Sequence, residues 1–255
     1  MRLDRAAARV RPIAAPSRVW WAVLVLAAVA LCGCETTAEK SAKLERQAKH
    51  VTPSDKGLSI ARESTAVKVL ATAVVHGSER AAAIVTLQNR SALQLRGVPI
   101  AITVRDAHGA TLFQNNAPGL EPALVSVPSI APHATAVWVD DQLPAGGVPA
   151  SVSAKVGEAP SVSGAPGALA VTGARIGEDP ANGVVATGTV TNRSRIAQSS
   201  LVLFAVARRG GTIVGAGRAV VAELAPGASA PFQASLVGQA LGARLEVSAP
   251  PASFG

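Results

Sequence analysis

Two cysteines, four histidines and two pairs of adjacent carboxylates are the side chains of this 255-residue sequence most suited to chemistry. The histidines (His50, His76, His108, His133) are scattered. None has a second His, Cys or carboxylate at the spacing that metal ligation requires, and His108 and His133 fall in expected turns. Asp140-Asp141 and Glu178-Asp179 flank expected turns at strand ends and read as solvated turn acids. A calcium loop needs more oxygen ligands at tighter alternating spacing. No G-x-S-x-G elbow, no S-x-x-K with its partner motifs and no phosphate-cradling glycine loop occurs. The expectation is a non-enzymatic protein with no catalytic residues, no cofactor and no metal.

The cysteines point to a different chemistry. An Arg-rich start leads into the apolar run Val19–Leu31, 13 residues long, whereas a helix needs about 20 to cross a bilayer core. A positive leader, a short apolar core and a small residue before a cut site are the parts of a secretory signal. The run ends in Leu31-Cys32-Gly33-Cys34, which resembles the lipobox of bacterial lipoproteins. That resemblance implies cleavage between Gly33 and Cys34 and a diacylglyceryl group on the Cys34 thiol. Cys32 fits less well, because bulky Leu31 would sit just before the cut. Cleavage discards Cys32 and leaves a chain whose single thiol is acylated, so no internal disulfide forms. Two acyl chains are the number that makes membrane attachment stable.

Charge supports this division. The formal net charge is +8, but residues 1–33 hold five arginines against one acid. The remainder carries 19 basic and 15 acidic residues, the balance of an ordinary soluble surface. Residues 166–255 hold seven arginines against four acids. Arg193 and Arg195 precede an expected strand over 199–207, and Arg208 and Arg209 follow it. A nine-residue strand separates the two pairs by about 30 Å, too far for one anion clamp. Aromatic residues make up 3% of the chain, with no Tyr, so stacking platforms for bases or sugars lack material. No nucleic-acid partner is expected.

Residues 34–62 are polar and rich in Lys, Glu, Ala and Ser, with Glu39–Lys43 and Glu45–Lys49 at helical i,i+4 spacing. Pro53, Ser54, Asp55 and Gly57 interrupt them, and the stretch reads as a tether. Beyond it, Val, Ile, Leu, Ala and Thr runs alternate with Gly, Pro, Asn and Asp, the punctuation of strands and turns. The pattern predicts strands near 66–75, 81–88, 98–105, 110–114, 123–128, 134–140 and 149–156. A Pro/Gly/Ser-rich linker follows over 159–167. A second series is expected near 168–176, 184–191, 199–207, 212–217, 218–224, 229–236 and 242–248. The series repeat each other: Val85-Thr86-Leu87-Gln88-Asn89-Arg90-Ser91 matches Gly188-Thr189-Val190-Thr191-Asn192-Arg193-Ser194, and Ile130-Ala131-Pro132-His133 matches Leu224-Ala225-Pro226-Gly227. The Asn-Arg-Ser triplets, although formally glycosylation sequons, read as turns, because Asn bonds its own backbone there. Trp138, Phe204 and Phe232 are the expected large inward residues.

Asp106-Ala107-His108-Gly109 in the first series, and Leu224-Ala225-Pro226-Gly227-Ala228-Ser229-Ala230-Pro231-Phe232 in the second, resemble the turn motifs of bacterial FxLYD-type and related Ig-like domains. The aromatic-Leu-Tyr-Asp core of that family is absent. The resemblance implies an all-β chain: a signal peptide over 1–33, a tether over 34–62, Ig-like sandwiches over 63–158 and 168–250 joined by the linker 159–167, and a tail over 251–255. Seven short strands per roughly 90 residues agree with that architecture. The expected role is a lipid-anchored module on the extracytoplasmic face of a bacterial membrane, binding or spacing other envelope proteins. The alternatives are a solute-binding lipoprotein, or an accessory subunit of an envelope transporter or wall-synthesis enzyme. A solute pocket would need aromatic lining and convergent polar groups, which this composition hardly supplies.

Overall fold

The computed structural model describes residues 57–144, 146–164 and 167–255; Gly33, Cys34, His50 and most of the expected tether lie outside the described residues. The chain is all-β. The first series of strands is β1 (Val67–His76), β2 (Arg80–Asn89), β3 (Gln94–Arg105), β4 (Thr111–Gln114), a one-turn helix α1 (Pro122–Val125), β5 (Ser126–Ile130), β6 (Thr135–Pro144), β7 (Ser151–Val156) and β8 (Ser161–Val162). The second is β9 (Leu169–Asp179), β10 (Gly183–Asn192), β11 (Gln198–Arg209), β12 (Thr212–Leu224), β13 (Ser229–Ser235), β14 (Val237–Gly238) and β15 (Arg244–Ser248).

Among the described residues these strands form four antiparallel sheets. In the first lobe β1-β2-β6 form one, and β3 is the spine of another, pairing with β4, β5, β7 and β8. In the second lobe β13-β10-β9 face β14-β12-β11-β15. The lobes share one plan. Asn89 donates from Nδ2 to the carbonyls of Leu93, Ile130 and Ala131, and accepts at Oδ1 from the Ser91 amide and hydroxyl. Asn192 does the same with Ile196, Leu224 and Ser194. Both asparagines are fully buried, so each triplet is a structural staple and its amide is closed to a glycosyl donor. Asn192→Ala takes the side-chain donor from the buried Leu224 carbonyl, and we expect it to cost about 1–3 kcal/mol. Thermal unfolding of the variant checks this; an unchanged midpoint would refute the staple.

Several expectations change against the structure. The strand expected over 123–128 opens as α1. The strands expected over 212–217 and 218–224 are one continuous β12. The first lobe splits the same path into β4 and β5 because it carries the turn-rich insertion Asn115–Glu121, whereas the second lobe has no insertion at Gly217-Arg218 and keeps the strand continuous. Where β4 breaks away, buried Asn115 substitutes for the ladder. Its Oδ1 accepts from the Ile102 amide, and its Nδ2 donates to the carbonyls of Ile100 and Leu124. Part of the stretch expected as a linker, Ser161–Val162, pairs with Gln94 and Leu95 of β3. The C-terminal stretch is tied down as well: Gln198 Oε1 accepts from the amides of Ala252 and Ser253, and Ser129 donates to the Pro251 carbonyl.

The largest departure from separate sandwiches is in the packing. Along a strand, side chains alternate between faces, and β11 uses both. Leu201, Leu203, Ala205 and Ala207 point into the second lobe, while Val202, Phe204 and Val206 join the core of the first. Ala216 of β12 and Val237 of β14 join them. In the facing sheet, Ala81–Val85 of β2 are buried without a break. The sheets β1-β2-β6 and β14-β12-β11-β15 therefore pack face to face, and the four sheets stack as four layers in one compact unit. Trp138, Phe204 and Phe232 are all buried; Phe204 belongs to the layer between the lobes.

Candidate functional site

The charged groups that the fold brings together lie at that lobe junction. β6 carries Asp140 and Asp141 into it, the residue before α1 carries Glu121, and β12 carries Arg218. Arg218 Nε lies 2.9 Å from Asp141 Oδ1, its backbone amide donates to Asp141 Oδ2 at 3.0 Å, and its Nη2 lies 3.0 Å from Glu121 Oε2. The Arg218 and Asp141 side chains are only 5% and 9% exposed, and Glu121 is 61% exposed. Nη1 of Arg218 is buried without a partner. The expectation of solvated turn acids at Asp140-Asp141 is overturned: the pair sits inside β6 in the contact layer, where Asp141 compensates a buried cation. Glu178-Asp179 meets its expectation in part. Asp179 is a turn acid accepting from Ala181 and Asn182, and the Asn182 side-chain bond in particular holds its carboxyl below the usual range.

Arg218 was missed as a site residue in the sequence. Its signal is visible in retrospect, a lone cation in the otherwise small and apolar run Gly215-Ala216-Gly217-Arg218-Ala219-Val220-Val221. Asp140 is the second buried acid. Burial pushes its carboxyl up to about 6, reinforced by Asp141 and opposed by the Gln142 amide and Arg218. A carboxyl whose folded pKa is raised stabilises the fold at pH values below its unfolded pKa, and that contribution is lost as pH rises through about 6. Asp140→Asn removes this loss while keeping an oxygen for the Gln142 amide. We expect the variant to be more stable than wild type at pH 8 by on the order of 3 kcal/mol and similar to it at pH 3. Urea midpoints at the two pH values check this; parallel pH profiles would contradict it.

The remaining candidates stay apart. His76 ends β1, His108 lies in the β3–β4 turn beside Asp106, and His133 occupies a left-handed turn position with φ 55°. The matching residue in the second lobe is Gly227, φ 74°, so His133 is a turn residue. Among the described residues no three potential metal ligands cluster. The arginine pairs lie at the two ends of β11, as expected. Arg208 pairs with Glu246, and Arg209 donates to the carbonyls of Gln239 and Leu241.

Two grooves open along the junction. One, about 450 Å³, runs between β6 and β15 over Phe204 and Val206. The other, about 680 Å³, is bordered by Arg96, Glu121, Ser199, Ser200 and Val220. Neither of these two grooves is lined by Asp140 or Asp141. Among the described residues, Phe204 is the one aromatic side chain lining either groove. Both grooves are of a size that can bind a ligand. The chain matches no protein-family model and no curated protein.

Proposed function

We propose that this chain is an extracytoplasmic lipoprotein, held on a bacterial membrane by a diacylglyceryl group on Cys34, that binds or spaces other envelope proteins and has no catalytic activity of its own. The observation that carries the reading is Leu31-Cys32-Gly33-Cys34 at the end of a 13-residue apolar run, with no cysteine after it. In this reading residues 34–62 tether the β stack to the membrane, and each lobe derives from an Ig-like domain of the FxLYD type. Fusion of the lobes into four layers supports a module that presents its surface rigidly. Junction grooves of ligand-binding size with a mostly aliphatic lining suit a protein segment better than a sugar or a base.

Intact mass spectrometry of the protein extracted from membranes tests the anchor. The expected mass is that of a chain beginning at Cys34 with a diacylglyceryl group on its thiol. The mass of unmodified residues 1–255 would overturn the reading.

A further inference from the structure

The smaller groove has features that name its occupant. Ala134 and the first three residues of β6, Thr135 to Val137, line it in succession. Because successive side chains point to opposite faces of a sheet, a strand offers four residues in a row to one cavity only along its edge. β6 pairs with β2 alone, so its other edge is open among the described residues. The register shows which groups that edge offers. The Asn89 amide of β2 donates to the Ala134 carbonyl, and in an antiparallel ladder residues alternate between facing the partner and facing away. Thr135 and Val137 therefore turn their N–H and C=O groups outward, toward the groove.

The second lobe treats the same edge differently. There the Asn192 amide donates to the Ala228 carbonyl, which makes Ala228 the counterpart of Ala134 and Pro231 the counterpart of Val137. Pro231 has no N–H to offer, and proline on an outward edge position is how natural sheets block the addition of a further strand. One lobe closes this edge and the other leaves it open. A third observation lies in the groove wall: Gln94 is 7% exposed, lines the groove, and its Oε1 is buried with no hydrogen-bond donor. A buried acceptor left without a donor costs free energy, and a turn of the Gln94 amide into the groove would present it to a ligand N–H.

We propose that this groove binds an extended segment of a partner protein, added as a strand to the edge of β6 at Thr135 and Val137, with the Gln94 amide turning into the groove to accept an N–H of the segment. Addition to a sheet edge derives affinity from main-chain hydrogen bonds and specificity from the pockets beneath; here the floor of Ile130, Phe204 and Val206 selects aliphatic side chains. β15 walls the opposite side, so the groove admits a single extended segment. A second copy pairing through its own β6 would bring its own β15 wall into the same space. The proposal rests on the reading of the chain as a binding module, and specifies what is bound.

The test is selection of a phage-displayed library of random dodecapeptides on the full-length protein, with binding of the selected peptides to wild type and two variants. Val137→Pro copies the second lobe's own solution and removes an outward N–H that β2 does not use. Gln94→Met removes the buried acceptor at similar size. The expected result is protection of the Thr135 and Val137 amides from hydrogen exchange by bound peptide, loss of binding in Val137→Pro, and roughly tenfold weaker binding in Gln94→Met with a thermal midpoint equal to or above wild type. If Val137→Pro fails to fold, amide protection and Gln94→Met decide alone. No selected peptide, equal binding by the variants, or edge amides protected without peptide through self-association would each overturn the proposal. Such a result beside capture of an envelope partner in cells defeats the groove and leaves the binding module standing. Peptide seated in the groove with no envelope partner in cells does the reverse.

Discussion

Replacing Arg218 with methionine is expected to lower the unfolding free energy by about 3–5 kcal/mol, because it strands a carboxylate in the layer between the lobes. The Asp141 side chain is 9% exposed and takes both the Arg218 Nε–H and the Arg218 amide. Glu121, at 61% exposed, contributes little to this cost. A buried ion pair gains little over well-packed apolar residues, since desolvation offsets most of the Coulomb attraction. The double variant Arg218→Met with Asp141→Leu is therefore expected to regain most of the loss. Urea unfolding of wild type, both single variants and the double variant forms the cycle. A single-variant cost below about 1 kcal/mol would show that the pair is dispensable to the junction.

Phe204→Ala is expected to cost about 3–5 kcal/mol, the range for emptying a large buried aromatic site. The informative readout is where the effect appears. Phe204 belongs to β11 of the second lobe but packs in the core of the first. Trp138 is fully buried in β6 of the first lobe, and no other tryptophan occurs after Trp21. In the form cleaved before Cys34, tryptophan fluorescence thus follows the first lobe alone, while circular dichroism follows both. With fused lobes, Phe204→Ala lowers the Trp138 midpoint by as much as the circular dichroism midpoint, in one transition. Two transitions, with the Trp138 midpoint unmoved, would mean that the lobes unfold separately.

Much of the local structure was legible in the sequence, because its signals are local. The Asn-Arg-Ser triplets marked the same staple in both lobes through the capacity of Asn to bond its own neighbourhood. Gly210 and Gly211, both with positive φ, form the tight hairpin between β11 and β12, and an adjacent glycine pair is a local turn signal of the same kind. What could not be read depends on the second face of a strand. Strands of a lone sandwich alternate apolar and polar residues, but Leu201–Ala207 and Ala81–Val85 are apolar throughout, and a run of that kind shows burial on both sides without naming what covers each. Phe204 therefore read as an inward residue of its own lobe. Asp140-Asp141 read as turn acids because adjacent carboxylates are rarely buried without a cation, and that cation, Arg218, is 77 residues away. The short pairing of Ser161–Val162 was hidden by linker-like composition. The open edge of β6 was equally hidden, since Val137 and Pro231 become counterparts only once the register of both lobes is known.

Crosslinking of the full-length protein in its own cells, beside a Cys34→Ala control, tests the anchored binding module most directly. One dominant envelope protein captured by the wild type and lost from the control is the expected result. The absence of any enriched envelope protein from either form would contradict it.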